Sequence, residues 1–112
     1  MNIIKHSDKE FNKIDIYKMT KGETVSVRDA VGIEIKVDKY LLYEDVNTRG
    51  ETVEILAVMA DDRTVYSTVS ETFKTRFFEI VEIFGEDLEQ VSILITEGTS
   101  KSGRQYASCT VA

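Results

Sequence analysis

Lys101, Arg104 and Tyr106 fall within six residues of one another in "EGTSKSGRQYASCTV", residues 97–111, and residues 98–112 hold no acid although the chain carries a formal net charge of -6. An aromatic face accepts a nucleobase by stacking, at about 1–3 kcal/mol per base, and a cation neutralises a phosphate. That combination needs no proton transfer and no metal. Gly98 and Gly103 let such a segment bend toward a nucleic-acid backbone, and Ser100 and Ser102 offer hydroxyl donors to phosphate. A soluble Gly-Ser-Lys turn has the same composition, so the stretch by itself leaves both readings open.

Other chemistries are poorly supplied. His6 and Cys109 are the only residues of their kinds, which removes His-rich and Cys-rich metal sites and every nucleophile-base dyad except His6 with Cys109. The adjacent carboxylates Glu44–Asp45 and Asp61–Asp62 invite a Mg²⁺-dependent nuclease reading. Both pairs sit in expected hairpin turns, and neighbours on an extended chain point to opposite faces. No enzyme, cofactor or metal is expected.

Charge is segregated along the chain. Acids outnumber bases 20 to 14, yet "EIVEIFGEDLE" concentrates Glu79, Glu82, Glu86, Asp87 and Glu89 without one base. This gives the alternative reading of a protein-interaction module, with an acidic helix end docking a basic partner. With 112 residues the expectation is a single domain over residues 1–112. No apolar run approaches the roughly 20 residues of a membrane span, so no membrane partner is expected. The opening "MNIIKHSDKEF" is unlike a secretory signal, and a cytoplasmic protein is expected. A lone thiol fits a reducing compartment, with Cys109 as a small buried hydrophobe.

Hydrophobic spacing indicates which elements position these residues. Ser7 with Glu10 reads as a capping box, followed by Phe11, Ile14, Tyr17 and Met19 at near-helical intervals, which predicts a helix over about 8–18 that Gly22 ends. Ile33, Ile35 and Val37 alternate with polar residues as a half-buried strand, and the alternation breaks near Asp38 and Lys39 as a bend or bulge would break it. "NTRG" turns the chain into a second strand with Val53, Ile55, Ala57 and Met59 on one face. "DDR" leads to a third strand with Val65 and Val69 inward and Tyr66 outward. The period then becomes helical: Thr68 with Glu71 as a second capping box, Phe73, Phe77, Ile80 and Phe84 on one face, and Gly85 as the stop. Two more strands follow, with Val91, Ile93 and Ile95, then Ala107, Cys109 and Val111, facing inward.

Strand, strand, strand, helix, strand, strand is the order of a mainly β, five-stranded OB-fold barrel, here over about residues 24–112 behind a short N-terminal helix. An OB barrel binds on its second and third strands and on the loops joining strands one to two and four to five. If odd positions face the core throughout, Lys36, Tyr40, Tyr66 and Tyr106 point outward, bordered by Arg49, Lys101 and Arg104 in the two loops. Tyr43 lies beyond the bend, where its direction is unset. Each outward Tyr is equally well a cross-strand packing partner.

"DIYKMT", "YEDVNTRGETVEILAV", "TFKTRFFEIVEIFGE" and "EGTSKSGRQYASCTVA", in this sequential arrangement from about residue 14 to the end, resemble the small single-stranded DNA-binding proteins of phages and conjugative plasmids of low-GC Gram-positive bacteria. The resemblance implies an OB-fold that coats single-stranded DNA without sequence preference in replication, recombination or transfer. It favours a binding role for the group Lys36, Tyr40, Tyr43, Arg49, Tyr66, Lys101, Arg104 and Tyr106. A homo-oligomer and replication or recombination proteins stand as further candidate partners. The sequence departs from the cellular proteins of this kind in having no acidic tail beyond the last strand, so recruitment by a tail is not expected.

Overall fold

A computed structural model describes residues 1–112 and resolves seven strands where five were expected. In chain order these are β1 (Asn2–His6), α1 (Lys13–Thr20), β2 (Val25–Ser26), a 3-10 turn (Val27–Ala30), β3 (Glu34–Val46) and β4 (Thr52–Ala60), then β5 (Val65–Thr68), α2 (Glu71–Phe84), a second 3-10 segment (Gly85–Gln90), β6 (Ser92–Thr99) and β7 (Gln105–Val111). They form one mixed sheet in the order β2-β5-β4-β3-β6-β7, with β1 added on β3. The five expected strands are β3 to β7, with α2 between the third and the fourth. The sheet curls into a half-barrel consistent with an OB-like barrel. β7 ends the path without pairing to β5, whose outer edge is taken by β2 in parallel. The turn Val27–Ala30 follows β2 and buries Val27 and Ala30 in the main core.

β3 organises the barrel. One edge pairs with β4 along residues 37–46, while the other pairs first with β6 through residues 34–36 and then with β1 through residues 41–44. The break expected near Asp38 is real: Val37 opposes Ala60 and Lys39 opposes Met59, which leaves Asp38 as the extra residue of a bulge. A bulge bends its strand and reverses the inside-outside alternation beyond it. Accordingly Ile35 and Val37 face the barrel core before the bulge, and Tyr40 and Leu42 face it afterwards.

The uniform odd-inward pattern therefore fails in the middle of the sheet. On β4 the barrel core takes Leu56, Val58 and Ala60, whereas Ile55, Ala57 and Met59 lie on the outer face. That outer face is buried too, because Met19 of α1 packs on it with Leu41, Tyr43 and Val65. On β6 and β7 the expected inward set holds for Ile93, Ile95, Ala107 and Cys109. Val69 and Val111 are exposed. Burial pushes the Cys109 thiol up to about 12.

Both helices start later than their capping boxes suggested. α1 is capped by Asn12, whose side chain accepts from the Asp15 N–H at 2.7 Å while Asp15 accepts from the Asn12 N–H at 3.4 Å. Ser7 instead continues the β1 line, its N–H donating to the Tyr40 carbonyl at 3.1 Å and its Oγ accepting from the Tyr40 N–H at 3.1 Å. α2 is capped by Ser70, which accepts from the Phe73 N–H at 3.3 Å, and Thr68 in turn accepts from the Ser70 N–H. Its apolar face is as expected, with Phe73, Phe77 and Ile80 buried and Gly85 closing the helix at φ 51°.

Candidate nucleic-acid interface

The β6–β7 connection is a tight hairpin. The Ser100 N–H donates to the Arg104 carbonyl at 2.8 Å, the Gly103 N–H donates to the Ser100 carbonyl at 2.9 Å, and Gly103 takes φ 83°. This is a three-residue loop whose last position is left-handed, the conformation that favours Gly. Ser100 Oγ accepts from the Arg104 N–H and bonds Ser102 Oγ at 2.9 Å, so these hydroxyls hold the turn together. Lys101 and Arg104 project from it, exposed and without a carboxylate partner.

Gly98 does not bend the loop; it lies within β6, directly opposite Tyr106 on β7. A Cβ on Gly98 would sit 2.5 Å from both Cζ and the hydroxyl of Tyr106, so the far end of that side chain packs directly over the glycine. Only Gly leaves that space, and Tyr106 remains 36% exposed as a residue. Beside it a cleft of about 120 Å³ is lined by Arg28, Val31, Glu97, Gln105, Tyr106 and Ala107. Arg28 comes from the 3-10 turn after β2, and its N–H donates to the Ser26 Oγ that caps the turn. Sequence reasoning missed this residue, although the Ser26-x-x-Asp29 capping pattern marks a helical turn that would present it.

The remaining expected site residues are dispersed. Lys36 is exposed but pairs with Ser92 at the start of β6, about 23 Å of strand from Thr99 at roughly 3.3 Å per residue. Arg49 is exposed at the tip of the β3–β4 turn, where its N–H donates to Asn47 Oδ1 at 2.9 Å. Tyr40 points inward, not outward: it is 6% exposed and packs edge-on against Phe77 and Phe78 at 5.4 and 5.6 Å. The bulge at Asp38 is the reason. Tyr43 is on the outer face but 3% exposed, covered by α1, with its hydroxyl 3.5 Å from the Thr20 carbonyl. Tyr66 is half-buried against the barrel core. Burial, with a nearby carboxylate in each case, pushes the phenols of Tyr40, Tyr43 and Tyr66 above their ordinary range. Of the four tyrosines proposed from sequence, Tyr106 alone is exposed. Tyr17 on α1, read from sequence only as part of the helical spacing, is the other exposed tyrosine.

The acids are gathered elsewhere. Asp8, Asp38, Glu86 and Glu89 border a cleft of about 540 Å³ between the residues following β1 and the end of α2, where Lys9 bridges Asp38 at 3.4 Å and Glu89 at 3.0 Å. Three of the four carboxylates that suggested a nuclease have structural partners. Asp45 binds Lys21 at 2.7 Å and the Val46 N–H, Glu44 accepts from Asn2, and Asp62 accepts from the Thr64 N–H. The Lys21 hydrogen bond foremost holds Asp45 below the usual carboxylate range, and the Thr64 N–H does so for Asp62.

An OB-like half-barrel whose outermost hairpin carries an exposed, glycine-backed tyrosine and unpaired cations has the parts of a single-strand-binding protein. A family model described as Phage Single-stranded DNA-binding protein, of the phi29 type, matches residues 3–112, and the chain belongs to this family. The family is one of DNA-binding rather than catalytic proteins, and single-stranded DNA is its ligand. No curated protein and no solved structure matches the chain. No helix is long and apolar enough to cross a membrane.

Proposed function

We propose that this protein coats single-stranded DNA without sequence preference, protecting it during phage or plasmid replication, recombination or transfer in the host cytoplasm, and that the β6–β7 hairpin is the principal contact. Tyr106 stacks on a base from its open face. Lys101, Arg104 and Arg28 hold the flanking phosphates, and Lys36 and Arg49 contact the strand further along. Tyr40 and Tyr66 support the barrel from within, and Tyr43 supports it from the outer face under α1. The observation that carries this reading is Tyr106 packed over Gly98 on the hairpin that also carries Lys101 and Arg104, neither of which forms an ion pair. A ring fixed in this way stacks on any base, since every base has a π-face, and contacts of this kind bring little sequence preference.

A competition titration tests it. With five Tyr and no Trp, tyrosine fluorescence reports on the interface directly. A thymidine homopolymer should quench the exposed rings and leave the emission of buried Tyr40 and Tyr43, so quenching should saturate well short of completion. Duplex DNA of equal length should compete weakly, because its bases hide the faces that stacking requires. Equal affinity for single and double strands would refute the stacking mechanism.

The acidic cleft supports a second reading, in which a basic replication or recombination protein docks at the end of α2. Retention of such a partner by the parent protein and its loss on Glu86→Gln with Glu89→Gln would support that reading.

A further inference from the structure

We propose that the outward face of α1 is a second contact for single-stranded DNA, with Tyr17 stacking on a base and Lys13 and Lys18 holding phosphates on either side. The proposal rests on the single-strand-binding reading above and adds to it a site on a different element.

α1 buries Asp15 and Met19 against the sheet. At about 100° per residue, the positions left outward, Lys13, Ile14, Tyr17, Lys18 and Lys21, span an arc of about 140°. All five are exposed. The one acid of the helix, Asp15, is on the opposite side, 1% exposed and held by Lys39 and Arg63. A chain with a net charge of -6 thus turns an acid-free helical face to solvent with three lysines on it. Lys21 is bound to Asp45 at 2.7 Å, whereas Lys13 and Lys18 have no carboxylate partner. Tyr17, between them in sequence, is 62% exposed, and Ile14 lies beside it, also exposed. An aromatic ring and a branched aliphatic kept together in water are an unsatisfied apolar surface, and flanking cations suit it to a base and its phosphates.

The place of α1 in the fold points the same way. An OB barrel binds its ligand on the face of its second and third strands, here β4 and β5. In this protein α1 packs on the outer side of β4, where Met19 joins a buried cluster with Ala57, Met59 and, from β5, Val65. A strand of DNA following that side meets the outer surface of α1 instead of the sheet. The chain leaving α1 then crosses to β5, where Thr24 and Ser67 share a hydrogen bond at 2.8 Å and β2 pairs with β5, and it reaches Arg28 beside Tyr106. The two contacts are therefore joined by one continuous segment, residues 17–28.

The test is the salt dependence of affinity for a long thymidine homopolymer, measured on the full chain. Each phosphate neutralised on a single strand contributes roughly 0.7 to the slope of log affinity against log salt. Lys13→Gln with Lys18→Gln should lower that slope by up to about 1.4, and Lys13→Arg with Lys18→Arg should leave it at the parent value. Tyr17→Ala should weaken binding by about five-fold or more, while Tyr17→Phe keeps the affinity and removes part of the tyrosine quench. Circular dichroism and melting verify that these surface variants fold as the parent does. If the Gln pair and Tyr17→Ala keep the parent's slope and affinity while Lys101→Gln with Arg104→Gln loses slope, the α1 contact is overturned and the hairpin reading stands. If the parent does not bind single strands at all, both fall.

Discussion

On the proposed stacking role of Tyr106, Gly98 is the position where a single methyl group should separate binding from folding. In Gly98→Ala the new Cβ would lie 2.5 Å from Cζ and the hydroxyl of Tyr106, about 1–1.5 Å inside an ordinary contact of about 3.5–4.0 Å. The atoms in the way belong to the far end of the side chain of an exposed residue, so the ring can swing outward and the strand need not move. Replacing Gly by Ala in a strand removes about 0.5–1 kcal/mol of backbone entropy cost, and losing the ring's support offsets about as much. Stability should stay within about 1 kcal/mol of the parent. Binding should not. Returning the ring to its stacking pose against the methyl demands an off-rotamer side chain at about 0.5–1.5 kcal/mol, which corresponds to a two- to twelve-fold weaker affinity. Tyr106→Ala removes the stack itself and should lose about 1–3 kcal/mol, with Tyr106→Phe close to the parent. The assay is a fluorescence-independent titration against a thymidine homopolymer at fixed salt, with thermal melts in parallel. A double-mutant cycle gives the decisive comparison, because Gly98→Ala should have no further effect once Tyr106 is Ala. Parent affinity in Gly98→Ala, or an undiminished loss in the Tyr106→Ala background, would refute the reasoning.

Further outcomes are expected. Lys101→Gln with Arg104→Gln should flatten the salt slope by up to about 1.4, with a loss similar across base compositions, whereas Glu82→Gln with Glu86→Gln should change binding little; an unchanged slope in the first pair removes phosphate contact from the hairpin. Asp15 is held below the ordinary carboxylate range, chiefly by the Lys39 hydrogen bond and also by Arg63. A depressed carboxyl stabilises the fold above its unfolded value, and that contribution disappears as pH falls through the folded one. Melting temperature should therefore fall below about pH 4, and Asp15→Asn should melt lower at pH 7 with a flatter acid limb; an identical limb in both proteins contradicts the assignment. Cys109, its thiol raised by burial, should react with an aromatic disulfide reagent at pH 8 only as fast as the protein opens, and rapid labelling of the folded protein would contradict its place in the core.

Periodicity made β3, β4, β6, β7 and the apolar face of α2 legible in the sequence, because their alternation is long enough to outweigh local ambiguity. The hairpin cations and Tyr106 were legible for a related reason: β6 and β7 alternate without interruption, so even positions remain outward from Ser92 to Thr110. The Gly-Arg-Gln-Tyr stretch thus had one orientation available to it. β1 and β2 were not legible. They are five and two residues long, and each is a strand only through its pairing with a distant partner, β3 and β5 respectively.

The central tyrosines were decided by two tertiary events. The sequence announced a break at Asp38, but whether the extra residue sits in β3 or the strand merely bends depends on the register with β4, and that register reverses every side chain after it. Tyr40 thereby entered the core. The outer face that remained, with Tyr43 on it, was exposed by the sheet alone and buried by α1, which sits there because Met19 packs on Ala57 and Met59 while Asp15 meets Lys39 and Arg63. A helix of eight residues does not carry enough periodicity to announce which side it buries. Composition and alternation determine locally which side chains can share a face; which of two faces becomes interior is a property of what docks on it, and here an ion pair and a methionine contributed by the N-terminal segment turned Tyr43 inward and Tyr17 out.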